Sequence, residues 1–245
     1  PLVSQVDRTP SVRGWRRGWL VGALAAAVTL LFLAPFAYLV LEAFGTGFRF
    51  VEILTSEQIR EPLANSLLLA TSTSAACVVL GTVLAVLVQR TVLLPLPLAV
   101  PSFVAATALV ASTGPGGLVP AVPRPYGFWG AFWVLTLLSY PYVYLPVLGR
   151  LARTGSSGEE ASRLLGRGPA QTVRRVLLPQ LRPAALGGGL LVFLYVISDF
   201  GAVSLMGYST LTTGIYVRYE SLLALDAAAI VALVLVALAL VVVLV

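Results

Sequence analysis

Long apolar runs separated by short polar stretches set the rhythm of this 245-residue chain. The first run, Leu20 to Ala43, carries a single charge, Glu42. A signal peptide has an apolar core of about 7 to 15 residues, so this longer run is read as a retained helix, with Pro35 as a kink that lipid tolerates. Crossing ~30 Å of hydrocarbon takes about 20 residues at helical rise. Further runs approach or reach that length at 62–88, 92–110, 128–148, 184–206 and 225–245. Pro62 is placed to open the second. Pro95, Pro97 and Pro101 should break or bend the third near its start, and Pro141 and Pro146 should each kink the fourth. Gly187, Gly188 and Gly189 remove side chains near the start of the fifth and permit close helix contact. The stretch STGPGGLVPAVPRPYG, 112–127, reads as loop, as do 45–61 and 207–224. The expected fold is all-α, a polytopic transmembrane helical bundle of about six spans, preceded by a polar, mobile tail over 1–18 with the first helix at 19–43.

One segment breaks the pattern. EEASRLLGRGPAQTVRRVLLPQLRP, 159–183, is polar, rich in arginine and bounded by prolines. Its local signals describe two short helices. Glu159 and Glu160 suit the positive end of a first helix, and Gly166 and Gly168 interrupt it. Pro169 fits the first position of a second helix, in which Val173, Val176 and Leu177 form one apolar stripe with Arg174 and Arg175 off it. Pro179 should end that helix. Taken alone, such a segment is equally an amphipathic stretch lying among lipid headgroups.

Composition narrows the classes. With 58% hydrophobic and 11% charged residues and a mean hydropathy of +0.95, the chain belongs in a membrane. All sixteen basic residues are arginine, with no lysine and no histidine. The phosphate-cradling motif of P-loop ATPases needs a lysine, so that chemistry is outside this chain. The lone Cys77, in an apolar run, allows no internal disulfide and no zinc, haem or iron–sulfur ligand set, so no metal site is expected. The net charge of +6 follows the loops rather than a nucleic-acid face. With the N-terminus cytoplasmic, the inner segments hold twelve arginines and the outer ones four, Arg49, Arg60, Arg124 and Arg218, as the positive-inside rule requires. The segment 159–183 then faces the cytoplasm.

Asp199 lies inside a run and would cost roughly 2.5 to 3.5 kcal/mol at a bilayer centre, so it should face protein or water. It is either a pathway residue or a structural carboxylate bonded to neighbouring hydroxyl or backbone groups. Tyr140, Tyr142, Tyr144 and Tyr195 offer phenolic oxygens to a pathway, though interfacial anchoring or packing is the commoner role.

Glu160-Ala161-Ser162, then three residues, Gly166, nine residues, Val176, Leu177 and Leu178-Pro179 closely resembles the EAA loop of ABC-importer permeases. Ser162 and Val176 stand where that pattern has Ala and Ile. SYPYVYLP (139–146), LLPQLRPAALGGGLL (177–191) and SDFGAVSLMGYSTLTTGIYVRY (198–219) are similar to members of the ferric-iron and thiamine group. The resemblance runs from about Pro62 to Val245.

It implies a type I permease domain over 62–245 with a cytoplasmic coupling loop at 151–183. Glu159, Glu160, Ala161, Ser162, Leu165, Gly166, Arg167, Val176, Leu178 and Pro179 would contact a cytoplasmic ABC ATPase dimer. That partner would bind the ATP and magnesium, leaving this chain no cofactor or ATPase site of its own. Ser198 and Asp199, with Tyr195 and Tyr140, would lie on the pathway. A periplasmic binding protein would deliver the substrate, ferric iron foremost, with thiamine, polyamine or phosphonate as alternatives. The outer loops 45–61 and 207–224 would be its docking candidates. A second permease half, fused or separate, is implied too, since the chain holds one EAA loop and is read as a fragment with the first half. The location would be the bacterial inner membrane. An ion-coupled secondary transporter is the rival class, but it would be expected to carry several membrane carboxylates or histidines, and a membrane-embedded enzyme is remote without a nucleophile–base pair.

Overall fold

The computed structural model describes residues 13–45, 52–53, 55–88, 100–154, 168–221 and 224–244, with residues 162, 164 and 166 described singly between them. Helices dominate, because backbone polar groups in hydrocarbon have to be satisfied within the segment that carries them. They are α1 (Arg13–Gly45), α2 (Glu57–Val88), α3 (Ser102–Ser112), α4 (Gly127–Ser139), α5 (Pro141–Thr154), α6 (Leu178–Ser198), α7 (Gly201–Leu205), α8 (Leu211–Tyr216) and α9 (Leu225–Leu244). A short turn of helix, Pro169–Thr172, and a π-helical turn, Val173–Leu177, lead into α6, and a second π turn, Val217–Ser221, follows α8. Among the described residues the one β-type pairing is the isolated bridge between Thr113 and Val119.

Five helical stretches are long and apolar enough to cross a membrane: 21–45, 59–87, 127–153, 173–198 and 225–244. The predicted span at 92–110 is represented by α3, whose 11 residues reach only about 16 Å at 1.5 Å per residue. Residues 91–99, with Pro95 and Pro97, lie outside the described residues.

The centre of the bundle is the trio α2, α5 and α6, and glycine makes it tight. A Cβ on Gly81 of α2 would lie 2.9 Å from Val143 Cβ and 3.0 Å from the Tyr140 carbonyl oxygen. One on Gly188 of α6 would lie 2.7 Å from Val143 Cα and from the Tyr142 carbonyl oxygen. α5 is thus clasped at Val143 between two side-chain-free positions, so the sequence expectation for the glycine run holds for Gly188 and Gly189. Gly187 has open space around it. Leu69, Cys77, Leu135, Val147, Leu181 and Val192 fill the core around this crossing. A second cluster, Ala43, Ile59, Leu211 and Ile230, joins the far ends of α1 and α2 to α8 and α9. The rest of α1 stands clear of the bundle: none of its most apolar 18-residue window is buried.

Four expectations change. The helix α1 begins at Arg13, so 13–18 continues it rather than forming a mobile tail, and it runs unbroken through Pro35. Pro62 lies inside α2, one turn after its start at Glu57. Pro146 does not interrupt α5, while Pro141 starts it: Tyr140 stays helical, its N–H bonded to the Thr136 carbonyl at 3.1 Å. The stretch 207–224 contains α8 and a π turn, and 184–206 is divided after Ser198 into α6 and α7.

Candidate functional site

Two regions collect the residues singled out from sequence, one at each end of α6. At its N-terminal end, Gly166 has φ +74, a left-handed conformation in which a side chain is strained. That value fits the interruption that the sequence places at Gly166. Ser162 is buried and its hydroxyl pairs with that of Thr172 at 2.9 Å, tying the two halves of the segment together. Thr172 also bonds back to the Gly168 carbonyl through its hydroxyl at 3.2 Å and its N–H at 3.0 Å. Leu164, between Ser162 and the Gly166 turn, is 89% exposed, which leaves a large apolar side chain without cover. Glu159, Glu160, Ala161, Leu165 and Arg167 lie outside the described residues.

The apolar stripe expected at Val173, Val176 and Leu177 is present: Leu177 is buried and the two valines half-buried, with Arg174 and Arg175 exposed. Pro179, expected to end the helix, does not. The chain passes through a π turn in which the Leu178 N–H reaches the Val173 carbonyl, and α6 follows directly with Pro179 in its first turn. Proline lacks an N–H and its ring crowds the carbonyl four residues back. The wider π turn absorbs that crowding, so residues 169–198 are one continuous rod. Leu178 and Pro179 are exposed where the π turn meets α6.

At the other end, α6 stops at Ser198 and Asp199 turns out of the helix with ψ 133. Its carboxylate accepts the Ala202 N–H at 2.9 Å and so caps α7. Its carbonyl accepts the Thr212 hydroxyl at 2.7 Å, which pins α8 to the same corner. Asp199 is buried, but it sits at the end of a 21-residue helix. The hydrogen bonds are those of the structural alternative raised by the sequence. Ser198 is exposed and its hydroxyl bonds back to the carbonyls of Leu194 and Tyr195 at 2.9 and 3.0 Å.

Tyr195 engages Ser102 at the start of α3 through its hydroxyl and packs its ring 5.7 Å from that of Tyr142. The corner fits closely against α3, since a Cβ on Gly201 would lie 2.9 Å from Ser102 Oγ and 3.0 Å from Phe103 Cβ. The structure therefore brings Asp199, Tyr195 and Tyr142 to one corner. Tyr140 sits apart at the α4–α5 joint, and Tyr144 is buried.

Residues not singled out from sequence complete this corner. The Asn65 side chain donates to the Ser209 carbonyl at 3.0 Å, and the Ser66 hydroxyl accepts the Leu211 N–H at 2.9 Å. Thr210 and Thr213 form a capping box at the start of α8, the Thr210 N–H donating to Thr213 Oγ1 at 2.8 Å. A Thr-x-x-Thr pair ahead of an apolar residue was the available signal. Arg218 is buried in the second π turn and donates to the Gly214 carbonyl at 3.0 Å. Among the described residues no three His, Cys, Asp or Glu side chains gather into a metal-binding group.

Comparison with known proteins gives a consistent answer. The sequence profile of the family described as binding-protein-dependent transport system inner membrane component matches residues 91–245. The chain is 35% identical over 212 residues to the Fe(3+)-transport system permease protein FbpB 2 of Haemophilus influenzae, a match covering 82% of this chain and 40% of that protein. This chain therefore spans less than half the length of that relative. It is 33% identical over 234 residues to a probable molybdenum ABC transporter permease protein of Haloferax volcanii, covering 88% of this chain and 84% of that one. In fold it is similar to a chain of a bacterial alginate ABC transporter solved with an alginate pentasaccharide-bound periplasmic protein, with a TM-score of 0.75, 16% identity and coverage of 95% and 94%.

Proposed function

The chain belongs to the family of binding-protein-dependent transport system inner membrane components, the permeases of ABC importers, and on that premise we propose that it is one membrane-spanning half of a ferric-iron importer. Its own part is mechanical. Residues 151–183 form the coupling loop that docks on a cytoplasmic ABC ATPase, which binds ATP and magnesium. A periplasmic binding protein delivers the cargo to the opposite face, and a second permease half completes the pathway. The permease domain extends over 62–245, with the N-terminus in the cytoplasm.

The observation that carries this reading is the form of the polar segment. Gly166 is left-handed, Leu164 is exposed close to the buried Ser162–Thr172 hydroxyl pair, and from Pro169 the helix continues without a break into α6. A short stiff element covalently joined to a long helix passes a rigid-body push from a partner into the membrane. Iron as cargo is supported by the iron-transport relative. The corner at Asp199 is read as a positioning device that sets the outer end of α6, since a single carboxylate is a poor site for a hard trivalent ion.

A second cargo is favoured by one observation: the molybdenum relative matches over most of its own length. Uptake of radiolabelled ferric iron and of molybdate into cells carrying the complete transporter separates the two. Iron uptake that stops on ATP depletion supports the proposal; molybdate uptake with no iron uptake replaces the cargo. Uptake that survives ATP depletion and collapses with the ion gradient would overturn the coupling mechanism as well.

A further inference from the structure

Between α2 and α6, on the side where the arginine-rich segment enters, lies a cavity of about 450 Å³ lined by Val79, Thr82, Val83, Leu181, Arg182 and Ala185 among others. That volume is in the range of small-molecule sites, ~300 to 1,000 Å³. We propose that it is a binding site for an anionic phospholipid of the adjacent leaflet, the acyl chain in the cavity and the phosphate paired with Arg182.

Three observations point to that ligand. The accessible lining is apolar, so water gains nothing there, and an unfilled groove forfeits the contacts of the side chains around it. Among the described residues, basic side chains gather at one end of the groove. Arg182 is exposed on the cavity wall, and Arg174 and Arg175 are exposed two turns nearer the polar segment. The described acidic residues, Glu42, Glu52, Glu57, Glu61, Asp199, Glu220 and Asp226, all lie toward the opposite ends of their helices or in the loops there. A hydrocarbon slot with an exposed arginine on its wall matches a phosphodiester above an acyl chain.

The third observation concerns direction. By helical periodicity Leu186, on the cavity wall, and Tyr195 point to opposite sides of α6. Gly188 meets α5, so the face of α6 that crosses α5 and the face that reaches the Asp199 corner both lie away from Leu186. The proposal requires only that the chain spans a membrane, and stands whichever cargo is carried.

The test uses the assembled transporter in phosphatidylcholine vesicles doped with a photoactivatable lipid, either phosphatidylglycerol or phosphatidylcholine, with cross-links mapped by mass spectrometry. Cross-links at Val79, Val83 and Leu186 are expected to favour phosphatidylglycerol by about fivefold, the factor equivalent to ~1 kcal/mol for one basic side chain at an anionic surface. Arg182→Gln should bring that ratio close to one. Ala185→Phe, which fills the groove, should reduce labelling there by both lipids. Labelling at Phe32 on the exposed face of α1 serves as the folding control and should not change in either variant. Equal labelling by the two lipids in the parent protein, or a preference that survives Arg182→Gln, overturns the proposal. So does protein in the groove, seen as a disulfide from Val79→Cys to the second permease half with no lipid label at these positions.

Discussion

Residues 162–178 and residues 198–216 both join apolar helices through a polar stretch at an end of α6, yet their polar groups serve different ends. In 198–216 they turn inward: the Asp199 carboxylate on Ala202, Thr212 on the Asp199 carbonyl, Asn65 on Ser209, Ser66 on Leu211 and the Thr210–Thr213 box close the corner on itself. Among the described residues of 162–178 the buried Ser162–Thr172 hydroxyl pair joins the two halves, while Leu164, Arg174 and Arg175 are exposed. The first arrangement fixes helices relative to one another. The second leaves side chains uncovered, as the proposed docking role requires. A charged residue in a membrane chain is therefore not by itself a sign of transport chemistry; what its bonds are made to decides the role.

The contrast can be broken most severely at Gly166. Gly166→Asp places a side chain in a left-handed conformation that costs roughly 1 to 2 kcal/mol and should abolish ATP-dependent uptake, while membrane fractionation shows normal amounts of protein. Normal uptake would sink the coupling role. Leu164→Glu comes next: at 89% exposure the side chain contributes little to folding, so thermal stability should be unchanged while co-purification of the ATPase falls. A stability loss without a binding loss would place Leu164 in the wrong category.

The opposite corner should respond in the reverse way. Asp199→Ala removes the cap on Ala202 and should destabilise by about 1 kcal/mol, whereas Asp199→Asn retains an acceptor and should keep both stability and uptake. Thermal unfolding in detergent and uptake assays read the two effects separately, and an Asn variant that is stable but inactive would move Asp199 onto the pathway. The smallest effect is expected at Ser162→Ala, which deletes one partner of the hydroxyl pair while Thr172 keeps its bond to Gly168. About 0.5 to 1.5 kcal/mol is at stake there, read by hydrogen exchange at 168–172.

How legible all this was in the sequence depended on length. Runs of twenty apolar residues declare themselves, and α1, α2, α6 and α9 were found within several residues. Short elements were missed. The five residues of α7 and six of α8 carry too few positions for periodicity, and they exist because Asp199 and Thr210 cap them. Pro179 was misjudged because rules for α-helices ignore the option of a π turn, and Pro62 because the helix starts one turn ahead of it, at Glu57. Glycine signals were the most informative single positions: Gly188 and Gly166 were singled out, and each has a geometric requirement that a side chain would violate. Ser102, Asn65 and Ser66 gave no signal, since their partners are distant in the chain.

The crossing at Val143 has a mechanical consequence. Gly188, which grips it, is the midpoint of the 21-residue α6, and backbone rests on backbone there with no flexible side chain to yield. Any group larger than hydrogen at Gly188 has to push the two helices apart at their crossing, because no rotamer change can make room for it.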